Sequence, residues 1–382
     1  MIYFDNAATT MPYPEVLKTY QDVAQKIIGN PSSLHQLGSQ ASRILEAARK
    51  QIADLIGKKP EEIFFTSGGT ESDNWVIKGV AFEKMSFGKH IIISSIEHPA
   101  VTESAKALEK LGFEIDYAPV NKQGFVIVER LEKMIRTDTI LVSIMAVNNE
   151  IGAIQPIQEI AEVLTAWPKI SFHVDAVQAI GKIDTSVFLP ERVDYASFSG
   201  HKFHAMRGVG FIYKKDGKMI SPLLSGGGQE KQLRSTTENV PAIVAMAKAL
   251  RLVMTQRDTV NQRLTQMKET IYQALIKNKD VVLFSENTDD FSPHILTFGI
   301  KGIRGEVLVH AFEEHDIYLS TTSACSSRAG KIAGTLISMG VETSLAQTAV
   351  RISLNDSNNM AEVEQFLTIF NHIYEKMEKV RG

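Results

Sequence analysis

Residues 171–178 (SFHVDAVQ) form a mainly apolar run that reaches the acidic Asp175. The next strand-like run, residues 194–202 (DYASFSGHK), ends in a dense polar cluster that closes on Lys202. Ligands of open α/β sheets bind at the carboxyl ends of the strands. The two runs therefore predict two strands, one β-α unit apart, that bring a carboxylate and a lysine to the same edge of a sheet.

Similar strand-like runs recur through the first part of the chain. They cover residues 63–66, 90–94, 139–146 and 209–213, and helix-length segments separate most of them. One such segment, residues 41–56, places its apolar residues on one helical face and is followed by Gly57 as a C-terminal cap. This alternation predicts an α/β fold with a mostly parallel sheet that is covered on both faces.

The pattern changes after Asn239. A long helical stretch is predicted from Pro241 to about residue 278, followed by short strands and a closing amphipathic helix. We therefore expect a second, smaller α/β unit. The expected division gives a large domain of residues 12–257 and a small domain of residues 1–11 plus 258–382.

Composition excludes several classes of protein. The chain has 382 residues, 44% of them hydrophobic, and its 41 Lys and Arg nearly balance its 44 Asp and Glu. Disorder, a transmembrane helix and a broad nucleic-acid-binding surface are therefore not expected, and the N-terminus lacks the pattern of a signal peptide. A single cysteine, Cys325, rules out an internal disulfide and a multi-thiolate metal site within the chain. These features predict a cytoplasmic protein.

A glycine pair lies between a predicted strand and a predicted helix in residues 64–71 (FFTSGGTE). Gly69 lets backbone N–H groups approach an anion, the helix adds its N-terminal dipole, and Thr70 offers a hydroxyl. The spacing matches neither a dinucleotide-binding loop nor a P-loop. An ordinary strand-to-helix turn is the alternative. The loop alone does not distinguish the two, so a phosphate site is favoured only in combination with Asp175 and Lys202.

Asp175, Lys202 and the glycine loop together suit pyridoxal 5′-phosphate (PLP). A carboxylate can hold its pyridinium nitrogen, a lysine in a dry site can form a Schiff base with its aldehyde, and the loop can bind its phosphate. His98, in residues 94–99 (SSIEHP), could stack on the ring. Taken singly, a helix-capping aspartate, a solvated lysine and a packing histidine are equally ordinary interpretations.

Motifs in order along essentially the whole chain resemble those of the NifS/IscS-like cysteine desulfurases, which are class V aminotransferases. The matching segments are residues 3–10 (YFDNAATT), 29–33 (GNPSS), 66–71 (TSGGTE), 97–98 (EH), 148–152 (NNEIG), 173–178 (HVDAVQ) and 199–202 (SGHK). The resemblance implies the fold of aspartate aminotransferase, that is, PLP-dependent transferase fold type I.

The resemblance also implies a role for each matched residue. Lys202 would carry PLP, Asp175 would contact the ring nitrogen, Gln178 the phenolic oxygen and His98 the ring face. Asn149 and Arg351 would hold the substrate carboxylate. The phosphate would be bound by residues of the glycine loop and of the second strand end, joined by one residue donated across a homodimer interface: Gly69, Thr70, Ser199, His201 and, from the partner subunit, Thr237.

Cys325 lies in residues 320–327 (STTSACSS), which resemble the family's catalytic cysteine loop, expected at about residues 320–334. Small polar neighbours favour an exposed nucleophilic thiolate over the alternative of a packed core cysteine. Thr322 departs from the family pattern, which usually has glycine there.

The combined prediction is a homodimeric PLP-dependent enzyme that converts L-cysteine to L-alanine and leaves a persulfide on Cys325. Its alternatives are a selenocysteine lyase, another class V PLP enzyme, or a catalytically weak platform for partners. The persulfide acceptor is expected to be a tRNA sulfurtransferase rather than an iron–sulfur scaffold, because the tail after Arg351 is short and Arg328 and Lys331 follow the cysteine.

Overall fold

Strands from three sheets make up the β-structure of the protein. The computed structural model describes residues 1–322 and 334–381. In chain order the strands are β1 (Ile2–Tyr3), β2 (Ile63–Thr66), β3 (His90–Ser94), β4 (Glu114–Ala118), β5 (Thr139–Met145), β6 (Ser171–Asp175), β7 (Tyr195–Ser199), β8 (Gly210–Lys214), β9 (Val281–Leu283), β10 (Ile295–Ile300), β11 (Ile317–Tyr318), β12 (Ser320–Thr321) and β13 (Val350–Ser353).

Helices of very different length connect these strands. They are α1 (Pro14–Lys26), α2 (Gln36–Leu55), α3 (Gly69–Lys84), α4 (Pro99–Glu109), α5 (Val128–Met134), α6 (Ile157–Thr165), α7 (Thr185–Phe188), α8 (Val240–Leu275), α9 (Gly305–Glu313), α10 (Gly334–Ser338), α11 (Thr343–Ala346) and α12 (Met360–Arg381). Within the described ranges, no helix is both long and apolar enough to cross a membrane.

The largest sheet has seven strands in the order β2-β8-β7-β6-β5-β3-β4. Its strands pair in parallel except for β8, which is antiparallel to both β2 and β7. Side chains on β3 alternate between two cores: Ile91 and Ile93 pack with α3 and α4, while Ile92 packs in the cluster that contains residues of α2, α6 and α8. The sheet is therefore covered on both faces, which confirms the predicted fold class.

A smaller unit contains the four-stranded antiparallel sheet β12-β13-β10-β9 and the parallel pair β1-β11. Its core brings Ile2 and Phe4 from the N-terminus together with apolar residues from the second half of α8, from α9 and from α12. Helix α8 runs without a break through the expected boundary at residues 257 and 258. The exact division of the chain into two domains stays a prediction.

Most element predictions agree closely with the structure. Strands β2, β3 and β6 have the predicted bounds, and Gly57 follows α2 with a positive φ of 67°, as expected of a helix-ending glycine. Strand β4 was missed because it lies at the sheet edge, where four of its five side chains are partly or fully exposed. Its sequence lacks the continuous apolar run that marks the central strands.

Candidate active site

A cavity of about 660 Å³ opens at the carboxyl ends of β6 and β7. It gathers nearly all of the site residues that the sequence predicts, from positions far apart in the chain. Those lining it are Gly69, Thr70, His98, Asn149, Asp175, Gln178, Ser199, His201, Lys202 and Arg351, and Thr322 lines it as well. The topology therefore brings the predicted carboxylate, lysine and glycine loop to one site.

The N-terminal segment anchors the lysine side of this cavity. Lys202 lies in a single 3₁₀ turn after β7, and its Nζ donates to the carbonyl oxygens of Ala7 at 2.6 Å and Ala8 at 2.9 Å. Gln178 Nε2 donates to the same Ala7 oxygen at 2.9 Å. The Nδ1 of His201 lies 3.2 Å from the Thr9 hydroxyl. Residues 7–9 therefore fix three predicted cofactor-binding side chains at once.

Asp175 ends β6 in a nearly dry position, with 5% of its surface exposed. Its Oδ1 accepts a hydrogen bond of 3.0 Å from the backbone N–H of Val177. Burial raises the pKa of Asp175 to about 6, while the Val177 hydrogen bond and the nearby Lys202 ammonium oppose that rise. A cationic partner in the cavity would lower the pKa further, which makes Asp175 suited to a protonated ring nitrogen.

Two other buried carboxyls neighbour Asp175. Glu97 Oε1 accepts hydrogen bonds from the Ser94 hydroxyl at 2.5 Å and the Met145 N–H at 2.8 Å, and burial raises its pKa to about 8. Asp73, on α3, is 1% exposed, and burial together with the charge of Asp175 raises its pKa well above its usual range. Glu97 therefore favours the neutral form at neutral pH, and burial shifts Asp73 in the same direction.

His98 begins α4 as its N-cap residue. Its Nδ1 accepts a hydrogen bond of 3.1 Å from the backbone N–H of Ala100, so the ring proton of the neutral form is on Nε2. Burial and the Lys202 ammonium lower the pKa of His98 to about 4. The imidazole is neutral at physiological pH, as a ring that stacks on a pyridinium must be to avoid charge repulsion.

The glycine loop is shaped as a close-fitting turn at the start of α3. Gly68 has a φ of 148°, and a Cβ on Gly69 would lie only 2.9 Å from Cγ2 of Val177. Ser199 Oγ lies on the other side, 3.5 Å from where a Gly68 Cβ would be. Gly68, Gly69, Thr70 and Ser199 all line the cavity, so the N-terminus of α3 and hydroxyl groups are available to an anion there.

Arg351, on β13, also lines the cavity and has 6% of its side chain exposed. Its Nη1 donates to the backbone oxygen of Asn149 at 2.7 Å, and its Nη2 donates to Asp5 Oδ1 at 2.8 Å. Its Nε is buried and has no partner among the described residues. A guanidinium in this position retains a donor for a carboxylate, while the contribution of the Asn149 side chain stays a prediction.

Two predicted residues are not part of this cavity as described. Thr237 is exposed and lines a smaller neighbouring cavity of about 120 Å³, which shares Ser67 and Gly208 with the larger one. Cys325 lies outside the described residues, as do Arg328 and Lys331.

Comparison with known proteins identifies the family. The family profile "Aminotransferase class-V" matches residues 2–366. The chain belongs to the class V aminotransferases. It is 52% identical over 380 residues to a NifS/IcsS protein homolog of Lactobacillus delbrueckii subsp. bulgaricus, with 100% of this chain and 99% of that protein covered. It is 40% identical to the cysteine desulfurase IscS of Methanosarcina thermophila, over 99% of this chain and 93% of that protein.

Solved structures agree with this assignment. A NifS-like protein with 39% sequence identity superimposes with a TM-score of 0.91, covering 98% of this chain and 99% of that one. A NifS-like protein from Rickettsia africae gives a TM-score of 0.87 at 32% identity, covering 98% and 99%. The predicted family and fold type I are confirmed.

The cofactor of this class V aminotransferase is PLP, as predicted. The described residues fit it: the glycine loop, the buried Asp175 carboxylate and the Lys202 amine all line the same cavity. Family membership and the fit of the cavity thus agree.

Sequence reasoning missed three polar residues of this site. Asp5 contacts Arg351, Asp73 lies near Asp175, and Arg207 lines the cavity beside the glycine loop. Asp5 was visible only as part of a motif, without a role. An aspartate among the apolar residues of the helical stretch after the glycine loop was a usable signal for Asp73, because a charged residue on a buried helix face requires an explanation.

Proposed function

We propose that this class V enzyme is a cysteine desulfurase that converts L-cysteine to L-alanine and leaves the sulfur as a persulfide on Cys325. The relatives named as cysteine desulfurases confirm the desulfurase class predicted from the sequence. The observation that carries the assignment to residues is that Lys202, Asp175, the glycine loop and Arg351 all line one cavity.

Lys202 and Asp175 have the two central roles in this mechanism. When bound, PLP supplies an electron sink for the carbanion left by removal of the Cα proton of L-cysteine. Lys202 would hold the cofactor through Nζ, and with that amine free it would accept the Cα proton of L-cysteine. The Asp175 carboxylate holds the proton on the ring nitrogen, and Gln178 contacts the phenolic oxygen. Burial of Asp175 strengthens its electrostatic attraction to a ring cation.

His98 stacks on the ring face and is a candidate proton donor through Nε2–H. Its Nδ1 is occupied by the Ala100 N–H, so the other ring nitrogen is the one available to the reaction. Ser199, His201 and the α3 N-terminus with Gly69 and Thr70 bind the phosphate. Arg351 and Asn149 bind the substrate carboxylate and thereby orient the sulfur of L-cysteine.

Cys325 attacks that sulfur as a thiolate, so that an S–S bond forms and the Cβ–S bond of L-cysteine breaks. The electron pair of the broken bond passes to the carbon skeleton, which is protonated to give L-alanine. Thr322, which lines the cavity, precedes Cys325 by three positions in the sequence. A Cys325→Ser variant should bind PLP, show the spectral change caused by L-cysteine, and fail to form persulfide or L-alanine at an appreciable rate. The neighbouring Ser326→Ala variant serves as the control.

Undiminished release of sulfur by Cys325→Ser would contradict the assigned nucleophile. Turnover of L-selenocysteine but not of L-cysteine by the wild-type protein would instead favour a selenocysteine lyase. Absence of L-alanine formation in the wild type, with PLP bound, would favour the platform interpretation.

A homodimer completes the site in this proposal. Thr237 is exposed and does not line the large cavity of its own chain, which supports a phosphate contact with the partner subunit. Large apolar side chains are unusually exposed near the N-terminus, with Ile28 at 75% and Leu34 at 102% of full exposure. A second copy of this chain is the partner that would cover them.

A tRNA sulfurtransferase is the proposed acceptor of the persulfide sulfur. The cations Arg328 and Lys331, which follow Cys325 in the sequence, support this choice over an iron–sulfur scaffold. Persulfide sulfur labelled on the purified enzyme should pass preferentially to the tRNA enzyme when both acceptors are offered at equal concentration. Preferential transfer to the scaffold would overturn the acceptor and leave the desulfurase proposal intact. The cytoplasmic location stays a prediction.

A further inference from the structure

The guanidinium of Arg351 is held from two sides before any substrate arrives. One terminal nitrogen donates to the Asn149 carbonyl at 2.7 Å, and the other donates to the Asp5 carboxylate at 2.8 Å. Contacts to two different nitrogens fix the plane of a guanidinium as well as its position. Each terminal nitrogen carries a second N–H, so these two contacts leave donors for a ligand in the cavity that Arg351 lines.

Asp5 is itself fixed by the strand that carries Arg351. It forms a parallel bridge with Ser353, two residues beyond Arg351 on β13. The next residues strengthen this connection, because the N–H of Asn6 donates to the Ser353 carbonyl at 3.2 Å and the N–H of Ala7 to the Ser353 hydroxyl at 2.8 Å. Backbone geometry, rather than a flexible side chain alone, therefore sets the distance between this acid and the arginine.

Charge favours the same arrangement. A buried guanidinium is costly unless its charge is paired and its donors are used. Glu150 also interacts with Arg351, but burial raises the pKa of Glu150 to about 7, so it is a weaker source of negative charge at neutral pH. Asp5, with 21% of its side chain exposed, supplies the ion pair that is seen.

We propose that Asp5 is a positioning residue that presets Arg351 for the α-carboxylate of the amino-acid substrate. A carboxylate that meets a fixed guanidinium loses less free energy to ordering the site than one that must organise a mobile arginine. The segment from Asp5 to Ala8 also contacts Lys202 and Gln178 through the carbonyls of Ala7 and Ala8. It thereby sets the spacing between the carboxylate-binding and amine-binding ends of the site.

This inference rests on the proposed role of Arg351, so its test separates the two. The PLP-loaded enzyme is titrated with L-alanine, which has the amine and the carboxylate of the substrate, and with ethylamine, which has only the amine. Binding is followed by the change in the absorption band of the cofactor. Asp5→Asn should weaken the binding of L-alanine about tenfold, which is in the range expected for one charge-assisted contact. The affinity for ethylamine should be unchanged.

Asp22→Asn is the matched control, because Asp22, on α1, has 46% of its side chain exposed and pairs only with Lys26 among the described residues. In turnover of L-cysteine, Asp5→Asn should raise KM by more than it lowers kcat. The proposal would be overturned if Asp5→Asn bound L-alanine as tightly as the control does. It would also be overturned if Asp5→Asn lost affinity for L-alanine and for ethylamine by the same factor. Arg351→Lys should lose the preference for L-alanine over ethylamine; if that preference survives, the role of Arg351 itself fails.

Asp5→Glu keeps the proposal testable if Asp5→Asn does not take up the cofactor. The longer acid preserves the charge but moves it by one methylene, so L-alanine affinity should fall while ethylamine affinity is unchanged. Unchanged affinity for L-alanine in Asp5→Glu would contradict a positioning role that depends on fixed geometry.

Discussion

At the scale of single residues, burial raises the pKa of three acids near the ring site, and the Lys202 ammonium distinguishes one of them. Asp175, Glu97 and Asp73 are 5%, 8% and 1% exposed, and all three have raised pKa values. Among these three acids, Asp175 is the one whose pKa the Lys202 ammonium lowers. That ammonium favours the charged form of Asp175, the acid proposed to face the cofactor nitrogen.

Glu97→Gln should gain stability relative to the wild type as the pH rises. Folded Glu97 keeps its proton up to a pKa of about 8, whereas the unfolded side chain releases it near 4.5. Between these values folding takes up a proton, so a rise in pH destabilises the wild type and not the variant. Urea unfolding should show the difference growing by about 2 kcal/mol between pH 6 and pH 8.

The exposed Glu129→Gln on α5 is the matched control for that measurement. The contradicting result is a difference in free energy of unfolding between Glu97→Gln and the wild type that is equal at pH 6 and pH 8. That result would mean that Glu97 is already ionised in the folded protein at pH 6.

Sequence reasoning reached the site residues that follow strand ends and failed for those placed by distant contacts. Asp175 and Lys202 were predictable because the residue after a buried parallel strand faces the ligand edge of the sheet. Asp5 was not assigned a role, because its contact with Arg351 joins positions 346 residues apart. A side chain that matters through one long-range ion pair leaves no local pattern.

At the scale of elements, local pattern identified the central strands and did not reveal an unusual turn. Glu230, Lys231 and Gln232 have positive φ values of 46°, 56° and 68°, which side-chain-bearing residues rarely adopt. Nothing in their sequence predicts this conformation. A tertiary contact stabilises it: Arg49 on α2 donates to both carboxylate oxygens of Glu230, at 2.9 Å and 2.7 Å.

Arg49→Met should destabilise the protein by about 3 to 5 kcal/mol, the usual cost of removing one partner of a buried ion pair. Arg49 and Glu230 have only 6% and 1% of their side chains exposed, so water cannot replace the lost contacts. Urea unfolding measures the loss, and Lys50→Met, at the exposed next position, is the control.

The double variant Arg49→Met with Glu230→Gln should recover part of that loss. The double variant has no unpaired charge at position 230. In the wild type Glu230 accepts a hydrogen bond of 2.9 Å from the Phe65 N–H, and the amide oxygen of glutamine can still accept it. Equal stability of Arg49→Met and the wild type would show that the ion pair does not hold the turn.

At the scale of the whole molecule, the turn at Glu230 precedes the exposed segment that carries Thr237. Arg234 of this segment is tied back to its own chain by an ion pair with Glu71 at 2.7 Å, whereas Thr237 remains exposed. An exposed hydroxyl three residues beyond an arginine that is held to its own chain is suited to contact a neighbouring subunit. The site of one chain would then depend on the other.

Subunit mixing should test this dependence directly. Lys202→Ala removes the cofactor anchor, and Thr237→Asp places a negative charge where a phosphate is expected, so each homodimer should be inactive. A mixed dimer contains one chain of each variant. One of its sites combines Lys202 of the Thr237→Asp chain with Thr237 of the Lys202→Ala chain and is therefore intact. The other site contains both substitutions. Co-refolding equal amounts should restore up to about a quarter of wild-type L-alanine production, because about half of the dimers are mixed and each has one working site. Activity no higher than that of the separate variants, with mixed dimers shown by differently tagged chains, would mean that Thr237 acts within its own subunit.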